Sequence, residues 1–106
     1  MTPRQDAALR ALSDPTRRAI VEALVIAPRS VGELADGLPV TRPAVSQHLA
    51  MLGDAGLVRA EAQGTRRIYR LAPEGAEAIR RWLDEVWETA MRNYAATARN
   101  DEEAGE

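Results

Sequence analysis

The chain has 106 residues, 45% hydrophobic and 28% charged, a length that supports one domain with one modest core. It has no cysteine and one histidine, which excludes disulfides, thiolate metal sites and a cysteine nucleophile. No apolar run suits a membrane span or signal peptide, so we expect a cytoplasmic protein without a membrane partner. The net charge is −2, yet residues 41–70 carry five arginines against two acidic residues. This local net charge of +3 indicates where a nucleic acid could bind.

Two short helices are predicted at the N-terminus. The first runs from Asp6 to Leu12 and is broken by the residues around Asp14. Asp14 is a favourable N-cap, and Pro15 occupies the first helical position, where a missing N–H costs nothing. The second helix therefore begins at Pro15 and ends at Pro28.

Two further helices follow at the spacing of a helix-turn-helix motif. Ser30 and Glu33 form a capping box, and the apolar residues after it recur at helical spacing as far as Leu38. After a tight turn, Thr41 caps a fourth helix that runs to about Asp54. In this layout the second helix of the motif can enter the DNA major groove.

A hairpin and a long helix complete the pattern. Segments 57–62 and 67–71 are strand-like, and the residues between them, 63–66, supply turn chemistry around Gly64. The last helix carries apolar and aromatic residues on one face and polar residues on the other for about four turns.

The predicted fold is mainly α with a small β-hairpin, a winged helix-turn-helix of about five helices. Residues 1–98 form its single domain, with the DNA-reading unit at about 30–72 and a dimer helix at about 74–97. The remaining residues, 99–106, form an acidic tail with nothing to bury, and we expect it to be disordered.

The fourth helix and the hairpin turn carry the candidate DNA-contacting residues. Arg42 matches a guanine edge and Gln47 an adenine edge, while the helix N-terminus and the paired arginines of the turn suit phosphates. Arg59 and Arg70 either add positive charge or pair with Glu61 across the hairpin. The predicted DNA-contacting set is Thr41, Arg42, Pro43, Ala44, Ser46, Gln47, Gly64, Thr65, Arg66 and Arg67.

The apolar stripe of the last helix is too large for a domain of this size to cover. A stripe at helical spacing is typical of packing rather than of a ligand pocket, and a two-fold dimer covers it economically. Two reading helices would then lie about 34 Å apart and face a near-palindromic operator. The predicted dimer interface is Leu9, Leu12, Ile79, Trp82, Leu83, Val86, Trp87, Ala90, Met91 and Tyr94.

Several short motifs occur in a fixed order between Leu12 and about Trp87. They are Leu12-Ser13-Asp14-Pro15-Thr16-Arg17-Arg18, Glu33-Leu34-Ala35, Arg42-Pro43-Ala44-Val45-Ser46-Gln47-His48-Leu49 with Leu52, Ala55-Gly56-Leu57-Val58, and Gly64 with Tyr69 and Leu71. Together they resemble the ArsR-type (ArsR/SmtB) winged-helix repressors. The resemblance implies a homodimeric repressor of an inverted-repeat operator, often its own promoter. It also implies that the fourth helix reads DNA and that the first and last helices form the dimer seam.

The chain departs from that family at the metal-sensing positions. Leu34-Ala35-Asp36 stands where arsenic and cadmium sensors carry paired cysteines, and the last helix has no histidine for a zinc site. The resemblance thus indicates a branch without the metal switch, and we predict no metal site and no cofactor. His48 alone cannot assemble an all-protein zinc site, and we assign it a structural or hydrogen-bonding role.

No catalytic residues are predicted, and we expect that the protein is not an enzyme. Ser46 and His48 are two apart on one helix and do not face each other. Two other functions stay open: a winged helix that binds only protein, and a DNA-bound sensor of an unidentified small molecule.

Overall fold

The computed structural model describes residues 1–104, with side chains described as far as residue 102. The elements in order are α1 Pro3–Ala11, α2 Pro15–Ile26, α3 Val31–Asp36, α4 Arg42–Asp54, β1 Val58–Gln63, β2 Arg66–Leu71 and α5 Pro73–Ala104. Five helices and one hairpin confirm the predicted fold class. None of the helices in this described range is long and apolar enough to cross a membrane.

Side-chain caps determine where the first four helices begin. As predicted, Asp14, Ser30 and Thr41 each accept a hydrogen bond from a backbone N–H three residues further on. The predicted start of α1 at Asp6 is wrong. Thr2 and Gln5 form a capping box before that point, and Pro3 occupies the first helical position.

The last helix is longer than predicted. It continues to Ala104 instead of ending near residue 97, so the predicted disorder is wrong for residues 99–104. Neither glycine nor proline occurs from Ala76 to Ala104, so nothing in that stretch stops a helix. The last two positions of the predicted tail, 105–106, lie outside the described residues.

The core lies where α2, α3, α4 and the hairpin meet. Its most deeply buried side chains are Ile20, Leu34, Val45, Leu49 and Leu52. Three of these belong to α4 at helical spacing, so one face of α4 is fixed against the core. The opposite face of α4 is therefore presented to solvent.

The hairpin consists of the antiparallel strands β1 and β2, and β2 is hydrogen-bonded along both of its edges. Gln63 faces Arg66 in the register, which leaves a turn of two residues, and Gly64 there has a φ of 63°. On the other edge, Tyr69 N donates to Arg29 O at 2.8 Å, and Arg29 N donates to Tyr69 O at 3.0 Å. The segment before α3 is thereby joined to the middle of β2.

Candidate nucleic-acid interface

The exposed face of α4 has the properties of a DNA-reading surface. Thr41 Oγ1 accepts from Ala44 N at 3.3 Å, and the first turn contains no acidic residue. Arg42, Ser46 and Gln47 are exposed, and Gln47 lies on the side of α4 opposite the core residues Val45, Leu49 and Leu52. The positive end of the helix dipole and the N–H of Arg42 favour a phosphate at this end. Pro43 has no N–H, and those of Ala44 and Val45 donate to Thr41.

A groove of about 440 Å³ lies between the start of α3, the start of α4 and the hairpin turn. It is lined by Ser30, Val31, Gly32, Glu33, Asp36, Arg42, Arg66 and Arg67. Arg42 therefore shares one groove with the adjacent pair Arg66 and Arg67, which lies far along the chain from it. Guanidinium groups are typical phosphate ligands, so this groove suits an anionic backbone.

Arg42 reaches this groove by lying against Gly32 of α3. A Cβ atom at position 32 would stand 3.1 Å from Arg42 Nη2 and 3.2 Å from its Cζ. The absence of a side chain on Gly32 thus makes room for the guanidinium. Sequence reasoning did not identify Gly32, because the two residues belong to different helices.

The two hairpin arginines have different surroundings. Arg66 Nη2 donates to Glu33 Oε1 at 2.6 Å and to Ser30 Oγ at 3.4 Å. The Arg67 guanidinium carbon lies 5.9 Å from the centroid of the Tyr69 ring. Arg66 was placed in the turn by the sequence but is the first residue of β2.

Glu33 is held in its ionised form. Hydrogen bonds from the backbone and side chain of Ser30, followed by the charge of Arg66, lower the pKa of its carboxyl from the ordinary value. Glu33 Oε1 accepts from Ser30 N at 3.1 Å in the capping box. A fixed carboxylate therefore lies among the three arginines.

The other two arginines of the hairpin lie beside carboxylates outside the groove. Arg70 Nε is 3.1 Å from Glu61 Oε1, so this pair forms across the hairpin. Arg59 lies beside a different carboxylate: its Nη2 is 3.9 Å from Oε1 of Glu74, which belongs to α5. Neither arginine lines the groove.

His48 takes part in a hydrogen bond behind α4. Arg17, which is only 9% exposed, places its Nη1 3.5 Å from His48 Nδ1. This contact agrees with a structural or hydrogen-bonding role for His48, which stays a prediction. Among residues 1–102, no cluster of three histidine, aspartate or glutamate side chains is arranged to hold a metal ion.

None of the ten predicted DNA-contacting residues is buried, and Ala44 alone is half-buried. None of the ten predicted dimer residues is buried either. Five of them expose large apolar side chains, at 43% for Leu83, 43% for Val86, 57% for Trp87, 53% for Met91 and 71% for Tyr94. Leu12 and Ile79 line an apolar groove of about 540 Å³ beside the base of the hairpin.

The fold and this surface define a winged helix-turn-helix protein, and comparison with known proteins gives its family. Residues 14–60 match the model of bacterial regulatory proteins of the arsR family. The HTH-type transcriptional regulator Rv2034 of Mycobacterium tuberculosis H37Rv is 56% identical over 90 residues, covering 85% of this chain and 84% of the relative. The chain belongs to the arsR family, and the resemblance stated from its motifs is confirmed.

Two other relatives extend the comparison. The arsenical resistance operon repressor of Escherichia coli K12 is 33% identical over 90 residues, which is 84% of this chain and 77% of that protein. The solution structure of the homodimeric winged helix-turn-helix DNA-binding domain of Mb0332 from Mycobacterium bovis matches with a TM-score of 0.64 and 26% identity. That match covers 86% of this chain and 82% of the other. The family consists of DNA-binding transcriptional regulators and not of enzymes, in agreement with the prediction.

Proposed function

We propose that the protein is a homodimeric transcriptional repressor that binds a near-palindromic operator in double-stranded DNA, in the bacterial cytoplasm. The observation that carries this proposal is the groove in which Arg42 of α4 meets Arg66 and Arg67 of the hairpin. It joins the exposed polar face of α4 to a second basic element. One duplex can contact both elements if α4 lies in the major groove.

The proposed contacts divide into base reading and backbone binding. Gln47 can pair with an adenine edge and Arg42 with a guanine edge, because their donors and acceptors match those bases. The small side chains of Pro43, Ala44 and Ser46 allow α4 to approach the bases closely. Thr41, Gly64, Thr65 and Arg67 are proposed to contact the sugar-phosphate backbone. Arg66 shares the groove with Arg42 and Arg67 and donates a hydrogen bond to Glu33.

The proposed dimer is supported by the exposed apolar face of α5. From Leu83 to Glu102 every residue is exposed except Ala90, which is half-buried. A second copy would cover this face through a two-fold interface, and the Mycobacterium bovis domain is described as homodimeric. The interface residues are proposed as Leu9, Leu12, Ile79, Trp82, Leu83, Val86, Trp87, Ala90, Met91 and Tyr94.

Repression is proposed because the Escherichia coli relative is an operon repressor. The operator is proposed to include the promoter of the protein's own gene. We propose further that metal binding at the positions used by arsenic and cadmium sensors does not release the DNA. Leu34, Ala35 and Asp36 occupy those positions, and the sequence contains no cysteine.

Binding to a labelled duplex at several salt concentrations tests DNA binding through the hairpin. If Arg67 contacts one phosphate, Arg67→Ala lowers the salt slope of log K by about 0.9. Arg92→Ala is the matched control, because Arg92 is an exposed arginine of α5 far along the chain from the hairpin. The control should keep the wild-type slope. A wild-type slope for Arg67→Ala would contradict the phosphate contact, and no measurable binding by the wild type would contradict the function.

A further inference from the structure

We propose that Glu33 holds the wing tip, residues 63–67, in its DNA-binding orientation through Arg66. Arg66 is then a positioning residue, and Arg67 beside it is the phosphate ligand. This proposal rests on the proposed DNA binding and adds to it how the wing is oriented. It assigns a role to a carboxylate that lies among three arginines in the groove.

The contact joins the wing tip to an acceptor that is already ordered. Ser30 N donates to Glu33 Oε1 at 3.1 Å, and Glu33 N donates to Ser30 Oγ at 3.2 Å. Arg66 Nη2 then donates to Glu33 Oε1 at 2.6 Å and also faces Ser30 Oγ at 3.4 Å. The capping box orients the Glu33 carboxylate independently of Arg66. The Glu33 side chain therefore loses less conformational entropy when it pairs with Arg66.

The wing tip has few other restraints. Residues 61–67 are all exposed, and a two-stranded hairpin is marginally stable by itself. The backbone pairing of Tyr69 with Arg29 joins β2 to the body three residues after Arg66. Between that pairing and the turn, the contact of Arg66 with Glu33 and Ser30 connects the tip to α3. Its loss would therefore let the tip move relative to α4.

Because Glu33 is negatively charged, the proposal and its alternative predict opposite changes in DNA affinity when the carboxylate is removed. An unpaired carboxylate beside Arg42 and Arg67 would repel DNA, so removing it should strengthen binding. A carboxylate that orients the wing has the opposite effect, because its removal weakens binding. Asp36 lines the same groove and does not take part in the Arg66 contact, so it reports the effect of charge alone.

The experiment compares Glu33→Gln with Asp36→Asn, using a labelled duplex that the wild type has selected from random DNA. Gln at position 33 can keep the capping box, so α3 should stay folded. We expect Glu33→Gln to weaken binding about two- to fivefold, the range for an exposed ion pair, while Asp36→Asn does not weaken it. Arg66→Ala combined with Glu33→Gln should bind no worse than Arg66→Ala alone.

Tighter binding by Glu33→Gln, to the same extent as by Asp36→Asn, would overturn the proposal. Additive losses in the double variant would also overturn it, because Arg66 would then act independently of Glu33. The backbone order parameters of residues 63–67, measured by NMR without DNA, provide a readout that needs no DNA binding. They should fall in Glu33→Gln and Arg66→Ala and stay unchanged in Asp36→Asn.

These two measurements separate failure of the inference from failure of the proposed function. If the wild type binds no duplex, the proposed function fails, and the order parameters still decide whether Glu33 restrains the tip. If the wild type binds and the order parameters do not change in Glu33→Gln, the positioning role is wrong while the DNA-binding function stands.

Discussion

Arg17 Nε donates a 2.7 Å hydrogen bond to the carbonyl oxygen of Ala11, which joins the end of α1 to the start of α2. The same guanidinium donates from Nη2 to Arg10 O at 3.2 Å. Carbonyl groups in the last turn of a helix have no partner within the helix, so Arg17 satisfies two of them. Its Nη1 faces His48 of α4. One buried cation therefore connects the proposed reading helix to a helix of the proposed dimer seam.

Replacing Arg17 should destabilise the fold. Arg17→Met keeps much of the side-chain volume but removes the donor to the carbonyl of the buried residue Ala11, and we expect a loss of about 1–3 kcal/mol in the free energy of unfolding. Urea denaturation measures it. Arg18→Met is the control, because Arg18 is exposed and donates one hydrogen bond, to Leu12 O at 2.8 Å. Equal losses in the two variants would show that burial of Arg17 is unimportant.

Acid should destabilise the protein partly through Asp14. A hydrogen bond from Arg17 N, the largest cause, and the charges of Arg17 and His48 hold the pKa of the Asp14 carboxyl below its ordinary value of 3.8. The contribution of a carboxyl with a depressed pKa is present above 3.8 and is lost as the pH falls through the folded-state pKa. Unfolding free energies measured over this range should therefore converge for the wild type and Asp14→Asn. Curves that stay parallel below pH 3.8 would rule out this source of acid sensitivity.

A side chain at position 75 should disturb the start of α5. A Cβ on Gly75 would stand 2.6 Å from Ala55 O and 2.7 Å from Leu57 Cδ2, so the backbone there would have to shift. We expect Gly75→Ala to lose about 1–3 kcal/mol of unfolding free energy, as overpacking does. Gly37→Ala is the matched control, since a Cβ there meets nothing closer than 3.9 Å. Thermal unfolding of both variants measures the difference. Equal falls in their midpoints would contradict the close approach of Gly75 to Ala55 and Leu57.

Base reading by α4 should depend on Gln47. If its amide pairs with an adenine edge, Gln47→Ala weakens binding to the selected operator by about 1–3 kcal/mol. Binding to random duplex should hardly change, because phosphate contacts remain. Fluorescence anisotropy with both duplexes makes the comparison. An equal loss on the two would mean that Gln47 does not read a base.

The exposed face of α5 should control assembly. Trp87 is 57% exposed in the single chain, and its burial against a second copy would be worth about 1.5–3 kcal/mol. Trp87→Lys should therefore raise the dimer dissociation constant about ten- to hundredfold, as measured by analytical ultracentrifugation. Thr89→Lys places the same charge on the polar face of α5 and should dimerise normally. An unchanged dimer dissociation constant in Trp87→Lys would show that Trp87 does not belong to the dimer interface.

The features predictable from the sequence are those that depend on residues close together in the chain. Ser30 and Glu33 are three residues apart, so the start of α3 was visible as a capping box. The same holds for Thr41 at the start of α4. The end of α5 was missed, because the acidic composition after residue 98 indicated disorder, although no glycine or proline interrupts the helix there.

Other features that were missed depend on tertiary packing. Arg66 and Glu33 are 33 residues apart, and no local pattern indicates that they meet. The two hairpin arginines therefore looked equivalent in the sequence, whereas Arg66 contacts α3 and Arg67 lies over Tyr69. The approach of Arg42 to Gly32 was hidden for the same reason.

The most direct test of DNA reading by a dimer is selection of bound sequences from random double-stranded DNA by the purified protein. We expect an enriched inverted repeat whose half-sites lie one helical turn apart, about 34 Å, because two α4 helices read it across a two-fold axis. A single unrepeated site would contradict the dimeric arrangement. No enrichment over the starting pool would contradict sequence-specific DNA binding itself.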